Sequence, residues 1–332
     1  MHRPLIVLCP QASPVIGGGH AMRCLSVGRA LAGSGAQVVI AADEEALFTV
    51  PALAASGFEV RRPLPFPCDA VLLDGYGFAL EDERAWRGVV GVLAAFEDAP
   101  RRVRELDLVI DSSPLRIAGD YAGLVPATAA LLLGTAHAPV SEAFLALRDM
   151  TLGRRRKECG VSRALVSFGL TDPMGLCVPA AQALLAQQTF TRVDIAVGTS
   201  APGLAALKAL AAREPRIVLH IDTPAMAQLT AAADIGLGAG GGASWERCAL
   251  GLASIVMAVA DNQADNIEAL RRAEAAVIVE SPDAFGAAIR RLVDDSPLRT
   301  HLSANAAVLC DGGGARRIAE AILDRVSARD QA

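Results

Sequence analysis

A histidine behind three glycines is the first place in this sequence where chemistry could be done. Gly17-Gly18-Gly19-His20-Ala21-Met22-Arg23-Cys24-Leu25 follows a short apolar run and opens a helical pattern. Glycine lets a backbone pass close to a ligand and adopt positive φ. The first turn of a helix offers unpaired N–H groups and partial positive charge to an anion, and that charge favours a neutral imidazole able to accept a proton. His20 is therefore the candidate base, and Gly18, Gly19 and Arg23 are candidates to meet the same substrate. A capping or surface histidine is the plainer alternative. Met22 stands where a dinucleotide fingerprint needs glycine and no Gly-Lys-Ser/Thr follows, so neither G-x-G-x-x-G nor a P-loop is present.

A second glycine-rich segment, Gly238-Ala239-Gly240-Gly241-Gly242-Ala243-Ser244-Trp245-Glu246-Arg247-Cys248, again joins an apolar run to a helical pattern. Gly240, Gly241, Gly242 and Ala243 could bring backbone N–H groups to a phosphate, with Ser244 as the expected N-cap. Glu246, in the first turn, could accept both hydroxyls of a ribose. A flexible turn with a dipole-complementing glutamate is the alternative. Ser167-Phe168-Gly169-Leu170-Thr171-Asp172-Pro173 follows another apolar run. Thr171 or Asp172 can cap the next helix while the loop backbone of Ser167, Phe168 and Gly169 faces a nucleotide. In Ala260-Asp261-Asn262-Gln263, Asn262 and Gln263 suit pyrophosphate or sugar hydroxyls, and helix capping explains the same residues.

Carboxylates at strand ends complete the set. Asp74-Gly75-Tyr76-Gly77 and Glu97-Asp98 each follow an apolar run. Asp74, Tyr76 and Asp98 are candidates to bind sugar hydroxyls or assist a base, and solvated loop acids are the alternative. Asp111 ends a further short run. His2, His137, His220 and His301 have neither a glycine loop nor a helix start beside them and read as structural or surface residues. No His/Asp/Glu spacing suggests a metal site, so neither metal nor cofactor is expected.

These segments need elements to hold them. Leu5–Cys9, Gln37–Ala41, Ala70–Leu73, Val89–Ala94 and Leu108–Ile110 read as buried strands, with helices over His20–Ala32 and Glu44–Ser56. The second half repeats the grammar with strands at Ala164–Phe168, Val193–Val197, Ile217–His220, Ala233–Leu237 and Ser254–Val259. Helices are expected over Pro173–Gln187, Pro202–Ala212, Pro224–Ala231, Ser244–Leu250, Asn262–Arg272, Ala284–Val293 and Ala315–Val326. Strand–helix alternation implies parallel sheets. The polar stretch Arg148–Lys157 reads as a linker or exposed crossover. The expectation is an α/β chain of two doubly wound Rossmann-like domains, 1–155 and 156–332, facing a ligand cleft. Packing of the last helix back on the first domain is left open.

Bulk properties narrow the class. At 332 residues, 52% hydrophobic and 20% charged, the chain can bury two cores and shows no disorder signature. Aromatics are only 4%, which leaves Ala, Val, Leu and Ile to fill those cores. A net charge of −5 disfavours bulk nucleic-acid binding. Seven widely spaced cysteines with no C-x-x-C argue against a disulfide framework and for reduced thiols. No apolar run reaches the length of a signal peptide core or membrane span. A cytoplasmic monomer acting on a small molecule is the expectation.

In this order the four segments resemble the UDP-sugar hydrolases of pseudaminic acid biosynthesis, which remove UDP from UDP-2,4-diacetamido-2,4,6-trideoxy-β-L-altropyranose. That family shares the GT-B architecture of nucleotide-sugar glycosyltransferases, including the lipid-linked N-acetylglucosaminyltransferase of peptidoglycan synthesis. Its G-x-G-H-x-x-R-C-L falls on Gly17, Gly19, His20, Arg23, Cys24 and Leu25. Its S-F-G-G-T-D-P falls on Ser167–Pro173, its S/T-x-W-E-R-C on Ser244–Cys248, and its A-D-N-Q on Ala260–Gln263. The likeness runs from about residue 5 to residue 320. Leu170 replaces a glycine, Glu97 stands for the first of two aspartates, and Gly134–Ala138 lacks an expected tyrosine. The resemblance implies metal-free hydrolysis with His20 activating water at the anomeric carbon. It places the sugar on Gly18, Gly19, Arg23, Asp74, Tyr76, Asp98, Asn262 and Gln263. UDP falls on Ser167, Phe168, Gly169, Thr171, Asp172, Gly240, Gly241, Gly242, Ala243, Ser244 and Glu246. The alternatives are a GT-B glycosyltransferase using a UDP-amino-sugar donor and a non-catalytic sugar-nucleotide-binding protein. The presence of His20 counts against the second.

Overall fold

Short runs of Val, Ile, Leu and Ala form strands that are covered on both faces, the pattern of a parallel sheet sandwiched by helices. The computed structural model describes residues 3–61, 67–157 and 160–330, so His2 and Cys159 lie outside the described residues. The chain divides into two units, Met1–Glu142 with Gly313–Ala332, and Ala143–Gly312.

The first unit runs β1 (Leu5–Pro10), α1 (Gly19–Gly33), β2 (Gln37–Ala41), α2 (Glu44–Thr49), β3 (Glu59–Arg61), β4 (Cys68–Asp74), α3 (Leu80–Trp86), β5 (Val90–Phe96), β6 (Leu108–Asp111) and β7 (Ala130–Leu133). Its sheet has the order β3-β2-β1-β4-β5-β6-β7, and every pairing is parallel. Helix α2 stops at Thr49, short of the expected Ser56, because Pro51 pushes Val50 out of the helical region.

The second unit opens with α4 (Glu142–Arg155), then β8 (Arg163–Ser167), α5 (Cys177–Leu185), β9 (Arg192–Val197), α6 (Leu204–Ala211), β10 (Ile217–Ile221), α7 (Met226–Ala232), β11 (Ile235–Ala239), α8 (Ala243–Ala249), β12 (Ser254–Met257), α9 (Ala264–Arg272), β13 (Val277–Ile278), α10 (Phe285–Asp294) and α11 (Ser296–Leu309). The sheet order is β10-β9-β8-β11-β12-β13, again parallel throughout. The core is a Val, Ile, Leu and Ala cluster around Phe168, Phe190 and Phe285.

The basic stretch expected to be a linker is instead the second half of α4. Its arginines cap helix C-termini. Arg148 donates to the carbonyls of Ala249, Ala307 and Cys310, Arg154 to Ala231 and Ala233, and Arg155 to Thr230, Ala233 and Leu250. Those carbonyls end α8, α11 and α7, where the helix dipole is negative and cations are favoured. A charge run that looked solvated therefore ties α4 into the second unit.

The last helix, α12 (Gly314–Asp330), belongs to the first unit. Arg317 and Arg325 donate to the carbonyls of Ala136 and Thr128, and Arg329 to that of Gly91. Gly314 packs on the Ala138 backbone with no room for a Cβ. Gly314→Ala should therefore cost about 1–3 kcal/mol of stability. Gly33→Ala, where a Cβ meets open space, should change it little. Chemical denaturation of both variants checks this, and equal midpoints would contradict it.

Candidate functional site

In the first sheet the strand order reverses between β1 and β4. Ligands of open α/β sheets bind outside the carboxyl ends of strands at such a reversal. The register sets Pro10, the last residue of β1, beside Asp74, the last of β4. Gln11 ties the two loops together. Its N–H donates to the Asp74 carbonyl (2.8 Å), and its Oε1 accepts from the Gly77 N–H (2.9 Å). Gly75, at φ +154°, and Gly77 leave no space for a Cβ against Gln11. Gly18 precedes α1 as its N-cap without a side-chain bond. A Cβ on Gly19 would meet nothing, so packing within the protein does not require glycine there.

Arg23, one turn into α1, gathers the acids. Its Nε and Nη2 bond both oxygens of Asp74 at 2.6 Å each, and its Nη1 bonds Asp98 at 2.7 Å. Its guanidinium lies 4.6 Å over the Phe96 ring. Asp74 is fully buried. Tyr76 donates to Asp98 Oδ2 at 2.5 Å. Burial would raise the Asp98 carboxyl. The Arg23 charge, with the Tyr76 hydroxyl and His20, outweighs burial and holds it well below the usual carboxylate range.

His20 completes this cluster. It is only 6% exposed. Its Nδ1 lies 3.7 Å from Asp74 Oδ1 and its Nε2 lies 3.8 Å from Asp98 Oδ2. Its ring meets the edge of Tyr76, with centroids 5.1 Å apart. Among the described residues Nδ1 has no hydrogen-bond partner. The structure thus brings together His20 and Arg23 from α1, Asp74 from the end of β4, and Tyr76 and Asp98 from the loops after β4 and β5. Glu97 turns away and pairs with Arg104, which also holds Glu83 at 2.5 Å. Asp111 is occupied by the Tyr121 hydroxyl, the Ser113 N–H and Arg116.

The second sheet reverses between β8 and β11, and its register sets Ser167 beside Gly238. The loop after β8 turns at Gly169, φ +96°. The Phe168 side chain packs in the core against Phe285. The Asp172 carboxylate accepts from the Leu176 and Cys177 N–H groups at 2.9 and 3.1 Å, capping α5. Thr171 is buried as well. The Phe168 side chain and the Asp172 carboxylate are thus both used within the fold, as the capping alternative for Asp172 expects. The same cap explains why α5 begins at Cys177 and not near Pro173.

The loop after β11 is braced from behind. Gln263 Oε1 accepts from Gly240 N–H at 3.1 Å and Val259 N–H at 3.0 Å, and Asn266 donates to the Gly240 carbonyl at 3.0 Å. The Gln263 carbonyl thus supports the glycine loop from behind. Asn262 lies in the 3-10 turn Asp261–Gln263 ahead of α9. Ser244 is the second residue of α8 and not its cap. Its hydroxyl donates to the Ala239 carbonyl at 3.0 Å. Among the described residues the N–H groups of Gly241, Gly242 and Ala243 have no acceptor. Burial pushes the Glu246 carboxyl up to about 7, with Arg247 opposing. Arg247 itself was not singled out from the sequence, although it reaches Ala239 and Ser244 from below.

A cavity of about 40 Å³ elsewhere in this unit is lined by Arg154, Arg155, Asp234 and Arg299. Those arginines serve helix-end carbonyls, so the cavity is not the site. Among the described residues no group of three His, Cys, Asp or Glu side chains could hold a metal ion. No described helix is long and apolar enough to cross a membrane.

No protein-family model matches the chain, and no curated protein matches its sequence. Solved structures do match its fold over nearly the full length. MurG of Acinetobacter baumannii aligns with a TM-score of 0.66 at 16% identity, covering 97% of this chain and 100% of that one. MnaA of S. aureus, in a co-structure with UDP, aligns at 0.63 and 14%, covering 98% and 97%. The spinosyn rhamnosyltransferase SpnG, complexed with thymidine diphosphate, aligns at 0.62 and 17%, covering 96% and 100%. At these identities the likeness shows the fold, an α/β chain of two doubly wound domains of GT-B type.

The Arg23 clamp can be tested by acid. Asp98 titrates near 3.8 when free and well below that in the fold. Its contribution to stability is therefore whole above about pH 4 and is lost as pH falls toward the folded value. Asp98→Asn should lose stability less steeply than wild type between about pH 4 and pH 2. Equal slopes would show that the clamp does not hold Asp98. Arg23→Met, which leaves the buried Asp74 unpaired, should cost about 3–5 kcal/mol.

Proposed function

We propose that this chain is a UDP-sugar hydrolase. It releases UDP from a UDP-activated 2,4-diacetamido-2,4,6-trideoxyhexose of pseudaminic acid biosynthesis, as a cytoplasmic monomer that needs neither metal nor cofactor. The observation that carries the reading is the His20 centre, a buried imidazole set between two carboxylates that one arginine holds in place.

The chemistry follows from the geometry. With the Nδ1 proton toward Asp74, the Nε2 lone pair is free to take a proton from water. The water oxygen attacks the anomeric carbon from the face opposite UDP. The bond from that carbon to the β-phosphate oxygen breaks, and UDP leaves with the bonding pair. The imidazolium that forms lies within 4 Å of both Asp74 and Asp98, which stabilise it as its charge develops. Tyr76 and the outer lone pairs of Asp98 are positioned for sugar hydroxyls. In the second unit, the unpaired N–H groups at Gly241, Gly242 and Ala243 suit the diphosphate, and Glu246 suits the ribose. Two structures with this fold hold UDP and thymidine diphosphate, which supports a nucleotide-sugar substrate. The rhamnosyltransferase among them gives the second reading weight. In it the same base would deprotonate an acceptor hydroxyl.

Purified protein should release UDP and free sugar from the altropyranose substrate with a chelator present and no acceptor. Turnover that requires an added acceptor would favour the transferase. His20→Asn should lower kcat by about a hundred- to ten-thousand-fold. UDP affinity should stay within about twofold of wild type, because the base contributes to the transition state and not to nucleotide binding. A fully active His20→Asn enzyme would contradict the assignment.

A further inference from the structure

Arg247 is 5% exposed, yet among the described residues no carboxylate lies within ion-pair distance of it. Arg23, whose side chain is more exposed at 19%, is matched by two. The Arg247 Nη2 donates to the Ala239 carbonyl at 2.6 Å and to the Ser244 hydroxyl at 3.2 Å, and its Nε has no partner. The side chain lies along β11. A Cβ on Gly238 would meet the Ser167 carbonyl at 2.5 Å and the Arg247 Nη1 at 2.6 Å, and one on Gly236 would meet Leu252 at 2.8 Å and the Arg247 Cδ at 3.3 Å. Both glycines of this strand thus sit against the arginine side chain as well as their strand and loop neighbours. The neighbouring Glu246 offers weak compensation, since burial keeps its carboxyl partly protonated near neutral pH.

An arginine cannot shed its proton, and a buried unpaired cation is costly. A site that keeps one gains when an anion arrives. The two groups that Arg247 holds, Ala239 and Ser244, bracket the unpaired N–H groups of Gly241, Gly242 and Ala243. We propose that Arg247 is the positioning residue of this loop and that its unmatched charge makes the loop select a diphosphate. The inference rests on the nucleotide-sugar reading above and names the residue that gives it phosphate selectivity.

Calorimetric titration of wild type, Arg247→Gln and Arg247→Lys with UDP and with uridine tests it. Wild type should prefer UDP strongly. Arg247→Gln should lose about 10- to 100-fold in UDP affinity while uridine affinity stays unchanged, as expected for removing a charge-assisted interaction. Arg247→Lys should recover most of the preference. Equal losses for both ligands, or unchanged UDP binding, would overturn the proposal. Should Arg247→Gln not fold, a folded Arg247→Lys that has lost the UDP preference would overturn it equally, and one that keeps the preference supports it. Wild type binding neither ligand would bring down the nucleotide-sugar reading itself, and this inference with it.

Discussion

Arg23 holds two carboxylates that reach it from the ends of different strands, and the first unit's chemistry depends on that grip. Asp74 ends β4 with no solvent contact, and Asp98 lies just past β5. The guanidinium, forked onto Asp74 and stretched to Asp98, fixes both carboxylates in place. His20 is one turn before Arg23 on α1, so the same helix that supplies the clamp also supplies the proposed base. The cluster holds two carboxylates to one guanidinium. That excess negative charge would suit an imidazole that takes up a proton in the proposed reaction.

The second unit uses the opposite balance. Among the described residues Arg247 has no carboxylate within ion-pair distance, and the glycine loop beside it leaves backbone N–H groups unpaired. An excess of positive potential would suit the diphosphate of the proposed substrate. Both units place these groups where the strand order reverses. The doubly wound topology determines where chemistry can occur, and the choice of paired or unpaired arginine determines its sign. Elsewhere the arginines of α4 serve a structural end by capping helix C-termini. The same side chain thus has three roles in one chain, set by what it faces.

Much of this was legible in the residues. Long apolar runs such as Leu5–Cys9 and Gln37–Ala41 are strands because nothing else buries them on both faces. The strands β3 (Glu59–Arg61) and β13 (Val277–Ile278) were not legible, being too short to show a pattern. Helix α11 was overlooked although Asp295 and Pro297 signal its start, and Asp295 does accept from the Leu298 N–H. Glycine loops and strand-end acids located His20, Arg23, Asp74 and Asp98. Their pairing was invisible, because Arg23 lies 51 and 75 residues from its partners. The structural roles of Asp172 and Gln263 were only half legible, because a cap or a loop brace uses the same polar residue types as a ligand contact. Arg247 left one faint signal, the alternation of Gly236 and Gly238 in β11, a face on which a Cβ would meet Ser167, Leu252 and Arg247 together.

The proposed role of His20 is to direct water to the anomeric carbon. Turnover in water labelled with heavy oxygen, followed by mass analysis of both products, tests that role. The label should enter the hydroxyl on the anomeric carbon of the sugar, and the released UDP should carry none. Label in the β-phosphate of UDP would mean attack at phosphorus, and would contradict the role assigned to His20 and the centre built around it.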